Sequence, residues 1–328
     1  MLFFVWFLIV VLLLWFVYFF PHFYVCEIII SFLPYIVFFS LVILWIFVVL
    51  FIKCKKKSRF CYLFWAFLYL IIFFLYAFKF NNFYTWEWFN SSQNISNGTW
   101  ISVLYSNIWY KVKNYDRLLD WIWKYNADVI LMVEFTEDFD DAMGEKLKQE
   151  YPYTAHMSFA DKYYGNVIFS KYPVKNLSDE IEVENSKWRY SYFLVDNWIE
   201  NYYIYLVHTA APVSLDHYKM RNNQLHQLLD DFSIHQQNRN GNDRVMIIWD
   251  FNLSPRSYYY KNLEKNLLWV NDLTKRFTVL TTRSYKKSQI IASHIDHVFV
   301  DNNSKIDDLH VMNTNGSDHR WIFIKNFR

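Results

Sequence analysis

Apolar residues are distributed along this chain in two different ways. Up to about residue 80 they form three long runs, 2–20, 28–52 and 60–78, none of which contains a charged residue. Beyond residue 100 they form short runs separated by polar stretches. Since a helix rises about 1.5 Å per residue, each long run can cross about 30 Å of hydrocarbon. The pattern therefore predicts three transmembrane helices.

The first long run has a second interpretation, as a secretory signal peptide. No basic residue precedes it, no small-residue cleavage site ends it and two further runs follow it, so a membrane span is favoured. The loop between the second and third runs carries Lys53, Lys55, Lys56, Lys57 and Arg59. Positive-inside bias places this loop in the cytoplasm. We therefore expect an integral membrane protein with a cytoplasmic N-terminus and an extracytoplasmic C-terminal domain.

Residues 81–98 are rich in Asn and Ser, which is typical of a linker. We expect a membrane domain at 1–80, this linker at 81–98 and one folded domain at 99–328, whose length suits a single core. The three cysteines, Cys26, Cys54 and Cys61, lie in or beside the membrane part. The folded domain has none, which excludes stabilisation by disulfides and a thiolate zinc site there.

The short apolar runs of the folded domain predict strands interspersed with helices. Strands are expected at 101–107, 127–135, 166–174, 188–198, 201–209, 244–251, 294–301, 308–314 and 321–327. Asn114 is a suitable N-cap for the first of the expected helices. Those helices lie at 114–125, 139–151 and 216–235.

Polar side chains that can handle metals and phosphates stand at the ends of several predicted strands. A rigid sheet brings such side chains together in one cleft. Hard divalent cations prefer oxygen ligands, and they neutralise the charge that protects a phosphate ester from attack. These residues are therefore typical of a metal-dependent phosphoesterase. The set is Asn107, Glu134, His208, Asp250, Asn252, Asp296, Asp318 and His319.

The segments WDFN (249–252), IDH (295–297) and SDH (317–319), in this order, resemble the endonuclease/exonuclease/phosphatase superfamily, the fold of DNase I. The resemblance covers residues 100–328. It implies a four-layer α/β/β/α sandwich, in which two mixed sheets pack together with helices outside. Three apolar runs ahead of such a domain are similar to a membrane-anchored bacterial branch of this superfamily.

The resemblance also implies a metal site. Mg²⁺ or Mn²⁺ is the expected ion, and Glu134 is the expected direct ligand. Asn107 and Asp318 are expected to assist it. All three side chains offer the oxygen atoms that such an ion prefers.

The catalytic roles come from the same resemblance. Asp250 is expected to orient or deprotonate the attacking water, and Asn252 to donate a hydrogen bond to the transition state. His319 is expected to contact the scissile phosphate, with Asp296 holding its imidazole. His208 is expected to donate to a phosphate oxygen. Whether Asp250 or His319 is the principal base stays open.

Two positions depart from the superfamily pattern. Trp249 stands where Gly is usual, so we expect the indole to reshape the pocket wall or to stack on a substrate. Val133 stands where Gln is common. His294 and His297 flank Asp296 and suggest a zinc site, although ordinary strand residues are the favoured interpretation.

Three functions are compatible with these residues. The favoured one is hydrolysis of a lipid-linked phosphate or pyrophosphate, or of a phospholipid head group, at the outer membrane surface. An extracytoplasmic nuclease is less favoured: six of the 33 basic and two of the 31 acidic residues precede position 96, which leaves 27 against 29 and no basic excess for a polyanion. The third is a non-catalytic domain that binds phospholipid or a protein. The oligomeric state stays open.

The linker carries aromatic residues that suit the interface between membrane and water. They would hold the folded domain close to the lipid surface, which is why a lipid-linked substrate is favoured. These residues are Phe83, Tyr84, Trp86, Trp88 and Phe89.

Overall fold

The computed structural model describes most of the chain outside the linker. The described residues are 2–53, 64, 66–68, 70–71, 100–112, 114–156, 165–178, 190–237, 243–267, 269–274, 282–285, 288–312 and 316–328. The predicted linker at 81–98 and most of the third apolar run lie outside these ranges. The chain divides into two compact units, Met1–Trp88 with Ser254–Asn262, and Phe89–Leu253 with Leu263–Arg328.

The first unit contains helices α1 (Leu2–Phe19) and α2 (Tyr24–Lys53). Val17 of α1 is buried together with Cys26 and Ile30 of α2. Among the residues described, no helix combines the length and the apolar character that crossing a membrane requires. The structure therefore does not support the prediction of three transmembrane helices.

The second unit is built on two six-stranded sheets and a small hairpin. The first sheet has the order β13-β14-β1-β2-β4-β3, and the second β5-β6-β7-β8-β12-β9. Strands β10 and β11 form the hairpin. The strands are β1 (Ile101–Asn107), β2 (Val129–Phe135), β3 (Tyr153–His156), β4 (Gly165–Ser170), β5 (Val174–Asn176), β6 (Ser191–Asp196), β7 (Asn201–His208), β8 (Arg244–Asp250), β9 (Val270–Asp272), β10 (Arg283–Tyr285), β11 (Ser288–Ser293), β12 (Asp296–Asp301), β13 (Ile306–Met312) and β14 (Trp321–Phe327).

Both large sheets are mixed. In the first, β1 pairs in parallel with β2 and antiparallel with β14. In the second, β7 pairs in parallel with β8, and β8 antiparallel with β12. Each large sheet thus has one parallel pair at its centre, flanked by antiparallel neighbours.

The main hydrophobic core lies between the two sheets. It contains Val103 and Leu131 from the first sheet and Leu206, Ile248 and Val298 from the second, all fully buried. These side chains alternate along their strands with residues that face the opposite side, as expected for a sheet covered on both faces. Apolar burial of this kind is the main force that holds two sheets together.

Helices cover the outer face of each sheet. They are α3 (Tyr115–Tyr125), α4 (Glu145–Glu150) and α5 (Leu215–Gln237). A further helix, α6, spans Tyr258–Asn266. Leu118 of α3 and Leu147 of α4 pack in one cluster with Ile130 of the first sheet. Phe232 of α5 stacks on Trp249 of the second sheet. The predicted DNase I-like α/β architecture, two mixed sheets with helices, is confirmed.

Most predicted helices are present with small shifts. Asn114 caps α3, and its side-chain oxygen accepts a hydrogen bond from the backbone N–H of Arg117. The helix predicted at 139–151 is instead a single turn, Glu137–Phe139, then a π-helical turn, Asp140–Gly144, and then α4. A hydrophobic period alone does not distinguish these helix types.

The pairing register brings polar residues of the second sheet into one row. His208 lies opposite Asp250 where β7 and β8 run in parallel. Asp296, the first residue of β12, lies opposite Asp250 on its other side. Three neighbouring strands thus present three polar side chains at the same level.

Candidate active site

Asn107 joins the two sheets through their carboxylates. Its Nδ2 donates to Oε1 of Glu134 at 2.9 Å and to Oδ2 of Asp250 at 3.0 Å. Its own Oδ1 accepts the backbone N–H of Trp109 at 3.0 Å. The N–H of Tyr110 donates to Oε2 of Glu134 at 3.0 Å. One amide at the end of β1 therefore holds two carboxylates, one from β2 and one from β8.

His208 completes this part of the site. Its Nε2 lies 3.7 Å from Oε1 of Glu134 and 3.8 Å from Oδ2 of Asp250. The side chain is 8% exposed, so the imidazole edge reaches the cleft while most of the ring is buried. The structure therefore brings together the four predicted residues Asn107, Glu134, His208 and Asp250.

A second histidine approaches Asp250 from the other side. Nε2 of His319 lies 3.5 Å from Oδ2 of Asp250, and its Nδ1 lies 3.0 Å from Oδ2 of Asp296. Asp296 also accepts the hydroxyl of Tyr105 at 3.1 Å. Burial alone would lower the pKa of His319, but Asp296 and Asp250 outweigh it and raise the pKa to about 9. In the ion-free protein this raised pKa favours the protonated, positively charged imidazole at neutral pH.

Asn252 follows Asp250 in a tight turn. Its backbone N–H donates to Oδ1 of Asp250 at 3.1 Å, and its Nδ2 donates to the carbonyl of Thr209 at 3.0 Å. The guanidinium of Arg221, which is fully buried in α5, donates from Nη1 to the carbonyl of Asn252 at 3.1 Å. The backbone N–H of Ala210 donates to Oε1 of Gln224, which lies on the same helix. Helix α5 thus holds the segments that follow β7 and β8.

Three residues around the cleft have left-handed backbone conformations. They are Trp109 with φ 59°, Glu134 with φ 57° and Asn252 with φ 49°. Such conformations cost about 1–3 kcal/mol for residues other than Gly and persist where the surroundings impose them. Backbone strain is therefore concentrated in the segments that carry the polar groups of the site.

Asp318 has a different partner from the one predicted. Its Oδ2 accepts Nε of Arg283 at 3.1 Å, while its Oδ1 is buried without a hydrogen bond from any described residue. Metal ligation by Asp318 stays a prediction, and the carboxylate is already engaged by a cation.

The two histidines beside Asp296 are buried structural residues. Nδ1 of His297 lies 3.0 Å from Oδ2 of Asp272, and its Nε2 lies 3.0 Å from the carbonyl of Leu253. The ring of His294 stacks on His297 at a centroid distance of 4.7 Å. Both nitrogens of His297 thus face protein acceptors, which favours the interpretation as ordinary strand residues over a zinc site.

The two departures from the superfamily pattern do not reach the cleft. Trp249 is fully buried and packs against Phe232, Phe251 and Phe299 on the outer face of the second sheet. Successive strand residues point to opposite faces, so the indole points away from Asp250. The expectation that it shapes the pocket or stacks on a substrate was wrong. Val133 lies in the core between the sheets.

The donor set fits a divalent cation. Glu134, Asp250 and Asp296 contribute three carboxylates, and within the described ranges neither Lys nor Arg forms an ion pair with any of them. One protonated His319 cannot balance them, so the cleft attracts a cation. As oriented here, Asn107 donates with its nitrogen, so its role as a ligand stays a prediction.

Two groups of residues could hold the ion. By distance, Asp250, Asp296 and His319 offer ligand atoms within 4.8 Å of one another. A metal needs a neutral imidazole, however, whereas the pKa of His319 is raised to about 9 and its Nδ1 is hydrogen-bonded to Asp296. Glu134 with Asp250 is the better pair, because both ligands are carboxylates and neither requires an imidazole to lose its proton.

Sequence reasoning missed several supporting residues. Tyr105 lies two residues before Asn107, so strand alternation could have placed both on one face. Thr282 accepts the backbone N–H groups of Ile295 and Asp296 on its hydroxyl. Nothing in the local sequence signals this contact or the buried position of Arg221.

Comparisons with known proteins agree with this geometry. A model of the Endonuclease/Exonuclease/phosphatase family matches residues 92–319, well over half of the chain. No curated protein matches it.

Several solved structures share the fold. TDP2 from D. rerio, complexed with single-strand DNA product, has a TM-score of 0.53 at 15% identity, covering 70% of this chain and 100% of that one. The human nocturnin catalytic domain with bound sulfate has 0.54 at 15%, covering 70% and 94%. A mutant of beta toxin from Staphylococcus aureus with bound magnesium ions has 0.52 at 19%, covering 70% and 100%.

Identities this low show a common fold and no more, whereas the family match covers the segments that build the cleft. It includes every predicted site residue, from Asn107 to His319. The chain therefore belongs to the Endonuclease/Exonuclease/phosphatase family and is an enzyme of the metal-dependent phosphoesterase class.

Proposed function

We propose that this enzyme hydrolyses a phosphate ester or pyrophosphate bond of a lipid-linked substrate, with Mg²⁺ or Mn²⁺. The observation that carries the proposal is the convergence of two carboxylates and two imidazoles. Glu134 and Asp250 share the amide of Asn107. His208 lies within ion-pairing distance of Glu134, and His319 of Asp250. Carboxylates, a shared amide and two imidazoles are the groups needed to hold a cation and a phosphoryl group together.

Asp250 is the proposed base. In the ion-free protein Asp296 and Asp250 raise the pKa of His319 to about 9, which favours the protonated imidazole and makes it a poor acceptor for the proton of an attacking water. Asp250 lies between both imidazoles, and its carboxylate accepts hydrogen bonds from Asn107 and from the backbone N–H of Asn252. Its carboxylate would orient the water and take its proton.

The protonated His319 is the proposed donor to the phosphoryl oxygens. Its charge would stabilise the negative charge that develops there, and Asp296 would hold the ring in place. His208 would donate from the opposite side of Asp250, and the Nδ2 of Asn252 could turn from the Thr209 carbonyl to the substrate. All these side chains already lie in the site.

Glu134 and Asp250 would hold the metal ion, with Asn107 keeping the two carboxylates together. When bound, the ion would neutralise phosphoryl charge and act as a Lewis acid. Asp318 contributes to this site only if its ion pair with Arg283 opens or is shared.

A nuclease is the second candidate. The related fold of TDP2 from D. rerio was solved with a single-strand DNA product, which supports this option. The folded part has 27 basic against 29 acidic residues and thus lacks the positive excess that usually neutralises a polyanion. We therefore place a phosphorylated lipid ahead of DNA, and non-catalytic binding last.

We also propose that the first unit associates with a membrane and that the enzyme acts at its outer face. Support comes from apolar side chains that α1 and α2 leave exposed, including Leu12, Trp15, Phe38, Trp45 and Ile52. A surface of this kind is covered by lipid or by a partner. Resistance of the protein to alkaline carbonate extraction, with release by detergent, would support it; release by carbonate would contradict it.

Hydrolysis by the full-length protein tests the activity. The panel contains bis(p-nitrophenyl) phosphate, single-strand DNA, a phospholipid and a polyprenyl pyrophosphate, each with Mg²⁺, Mn²⁺ or EDTA. We expect metal-dependent turnover that falls by about 10²–10⁴-fold in Asp250→Asn, the range for loss of a general base. Asp308→Asn, an exposed carboxylate paired with His310, is the matched control.

The panel separates the candidates. Preference for the lipid substrates supports the leading proposal, and preference for DNA supports the nuclease. A folded wild type that turns over none of them, or an Asp250→Asn variant as active as the control, would contradict the proposed function.

A further inference from the structure

Arg283 lies opposite the catalytic histidine candidate. Arg283, the first residue of β10, forms an isolated antiparallel β-bridge with His319. The N–H of Ser284 donates to the carbonyl of Asp318 at 2.8 Å, and the N–H of Arg320 donates to the carbonyl of Thr282 at 2.6 Å.

These two hydrogen bonds flank the bridge pair and do not join it. Arg283 and His319 are therefore a non-hydrogen-bonded antiparallel pair, the kind in which opposite side chains lie on the same face and approach most closely. The side chain of Arg283 thus leaves the backbone on the same face as the imidazole that reaches Asp250.

Asp318 orients the guanidinium. Nε of Arg283 donates to Oδ2 of Asp318 at 3.1 Å, and the Arg283 side chain is 29% exposed. The cation is therefore fixed at one edge by a neighbour of His319 and still reaches solvent. Since Asp318 balances its charge, attraction of an anion would depend on directed hydrogen bonds more than on net charge.

The adjacent residue ties Arg283 to the other half of the site. The Thr282 hydroxyl accepts the N–H groups of Ile295 at 3.0 Å and Asp296 at 2.9 Å. Residues 282–284 thus contact the backbone of both Asp296 and the segment that carries His319. Arg283 is placed by the same contacts that place the reacting groups.

We propose that Arg283 is a substrate-binding residue, whose guanidinium, oriented by Asp318, binds an anionic phosphoryl oxygen of the substrate beside His319. This inference rests on the proposed phosphoesterase function. A guanidinium is planar and forks toward two oxygens of one phosphate, which a point-charged ammonium does not do. Substrates without an anionic oxygen next to the scissile bond would not use it.

Arg244 offers a matched comparison. Its Nη2 lies 3.0 Å from Oε1 of Glu200, and its side chain is 19% exposed, so it forms the same kind of pair. Arg244 begins β8 and Asp250 ends it, which separates them by about 20 Å at 3.3 Å per residue. A variant of Arg244 therefore controls for the loss of an arginine ion pair away from the cleft.

The test uses full-length Arg283→Gln, Arg283→Lys and Arg244→Gln with Mg²⁺. Binding of inorganic phosphate is measured by calorimetry, and kcat and KM with bis(p-nitrophenyl) phosphate. We expect Arg283→Gln to weaken phosphate binding and raise KM by about tenfold, the scale of one lost charged hydrogen bond. We expect kcat to change far less, Arg283→Lys to recover part of the affinity, and Arg244→Gln to bind phosphate like the wild type.

Several results would overturn the inference. Unchanged phosphate affinity in Arg283→Gln, or a wild type that binds no phosphate, would exclude a contact with the anion. A fall in kcat with KM and phosphate affinity intact would mean that Arg283 only positions His319. If Arg283→Gln fails to fold, Arg283→Lys decides by the same measurements. If the wild type hydrolyses nothing, the proposed function fails, and the phosphate comparison still decides the role of Arg283.

Discussion

Nδ1 of His319 lies 3.0 Å from Oδ2 of Asp296 inside a wall of the cleft where both side chains are almost fully buried. Burial opposes the charged imidazole, but Asp296 and Asp250 together outweigh burial and raise the pKa of His319. The pair therefore fixes both the direction of the ring and its protonation state.

The first prediction concerns that protonation state. In the metal-free protein, His319 should titrate with a pKa near 9, and Asp296→Asn should lower this pKa toward the ordinary value of 6.5, because the largest favourable charge is removed. Imidazole NMR signals followed against pH in EDTA measure it. A pKa that is the same in both proteins would show that Asp296 does not hold the proton on the ring.

The second prediction concerns stability. Because the pKa of His319 is raised from 6.5 to about 9, its contribution is fully present below pH 6.5 and is lost as the pH rises through 9. The shift corresponds to roughly 3 kcal/mol. Urea unfolding in EDTA at pH 6 and at pH 9.5 should show this loss, and His319→Gln should show less of it. Equal pH dependence in the variant would place the effect elsewhere.

The third prediction uses the amide that bridges the two sheets. Asn107→Asp replaces the donor to Glu134 and Asp250 with a third negative charge. We expect the free energy of unfolding in EDTA to fall by about 1–3 kcal/mol or more. Both carboxylates lose the hydrogen bond from Asn107, and both repel the new carboxylate. A divalent cation should restore part of this loss. Thermal unfolding with EDTA and with Mg²⁺ measures both effects.

Asn107→Leu, which adds no charge, controls for repulsion in this experiment. It should be destabilised with or without the ion and should recover less when Mg²⁺ is added. Equal recovery of the two variants would mean that the ion does not bind at these carboxylates.

The fourth prediction follows from the position of Trp249. Trp249→Gly places the usual family residue there, yet it should cost about 3–5 kcal/mol, because it leaves a cavity beside Phe232 and Phe251. Binding of phosphate to the folded variant should be unchanged. Chemical unfolding and calorimetry measure the two quantities.

Trp198→Gly is the matched control for that substitution. Trp198 is 67% exposed and has a φ of 69°, a conformation that suits Gly, so its loss should change stability little. Weaker phosphate binding in Trp249→Gly would show that the indole does affect the cleft.

Sequence patterns predicted much of the second unit. Short apolar runs located the central strands of both large sheets, and Asn114 marked the start of α3 correctly. The runs missed the short strands β3, β9, β10 and β11. The polar residues at strand ends were found because strands of one sheet end together. Alternation could also have predicted that Trp249 points away from the cleft, since neighbours in a strand face opposite sides and Asp250 faces the cleft.

Contacts between distant segments could not be read in this way. Asp318 meets Arg283 across 35 positions, and Tyr105 meets Asp296 across 191. No local period encodes such a meeting, because it depends on how the sheets pack and on where a hairpin returns. The apolar N-terminal runs correctly predicted helices at α1 and α2. The apolar pattern alone did not establish whether these helices cross a membrane.

The row formed by His208, Asp250 and Asp296 limits how this enzyme can change over evolution. Their alignment depends on the register of three neighbouring strands, and a slip of one residue turns every side chain of a strand to the other face. A single inserted residue within β8 would remove both the apolar packing of Ile248 and the alignment of Asp250. New substrates can therefore be acquired by lengthening the loops beyond the strand ends, whereas the spacing within the strands is fixed by folding and catalysis together.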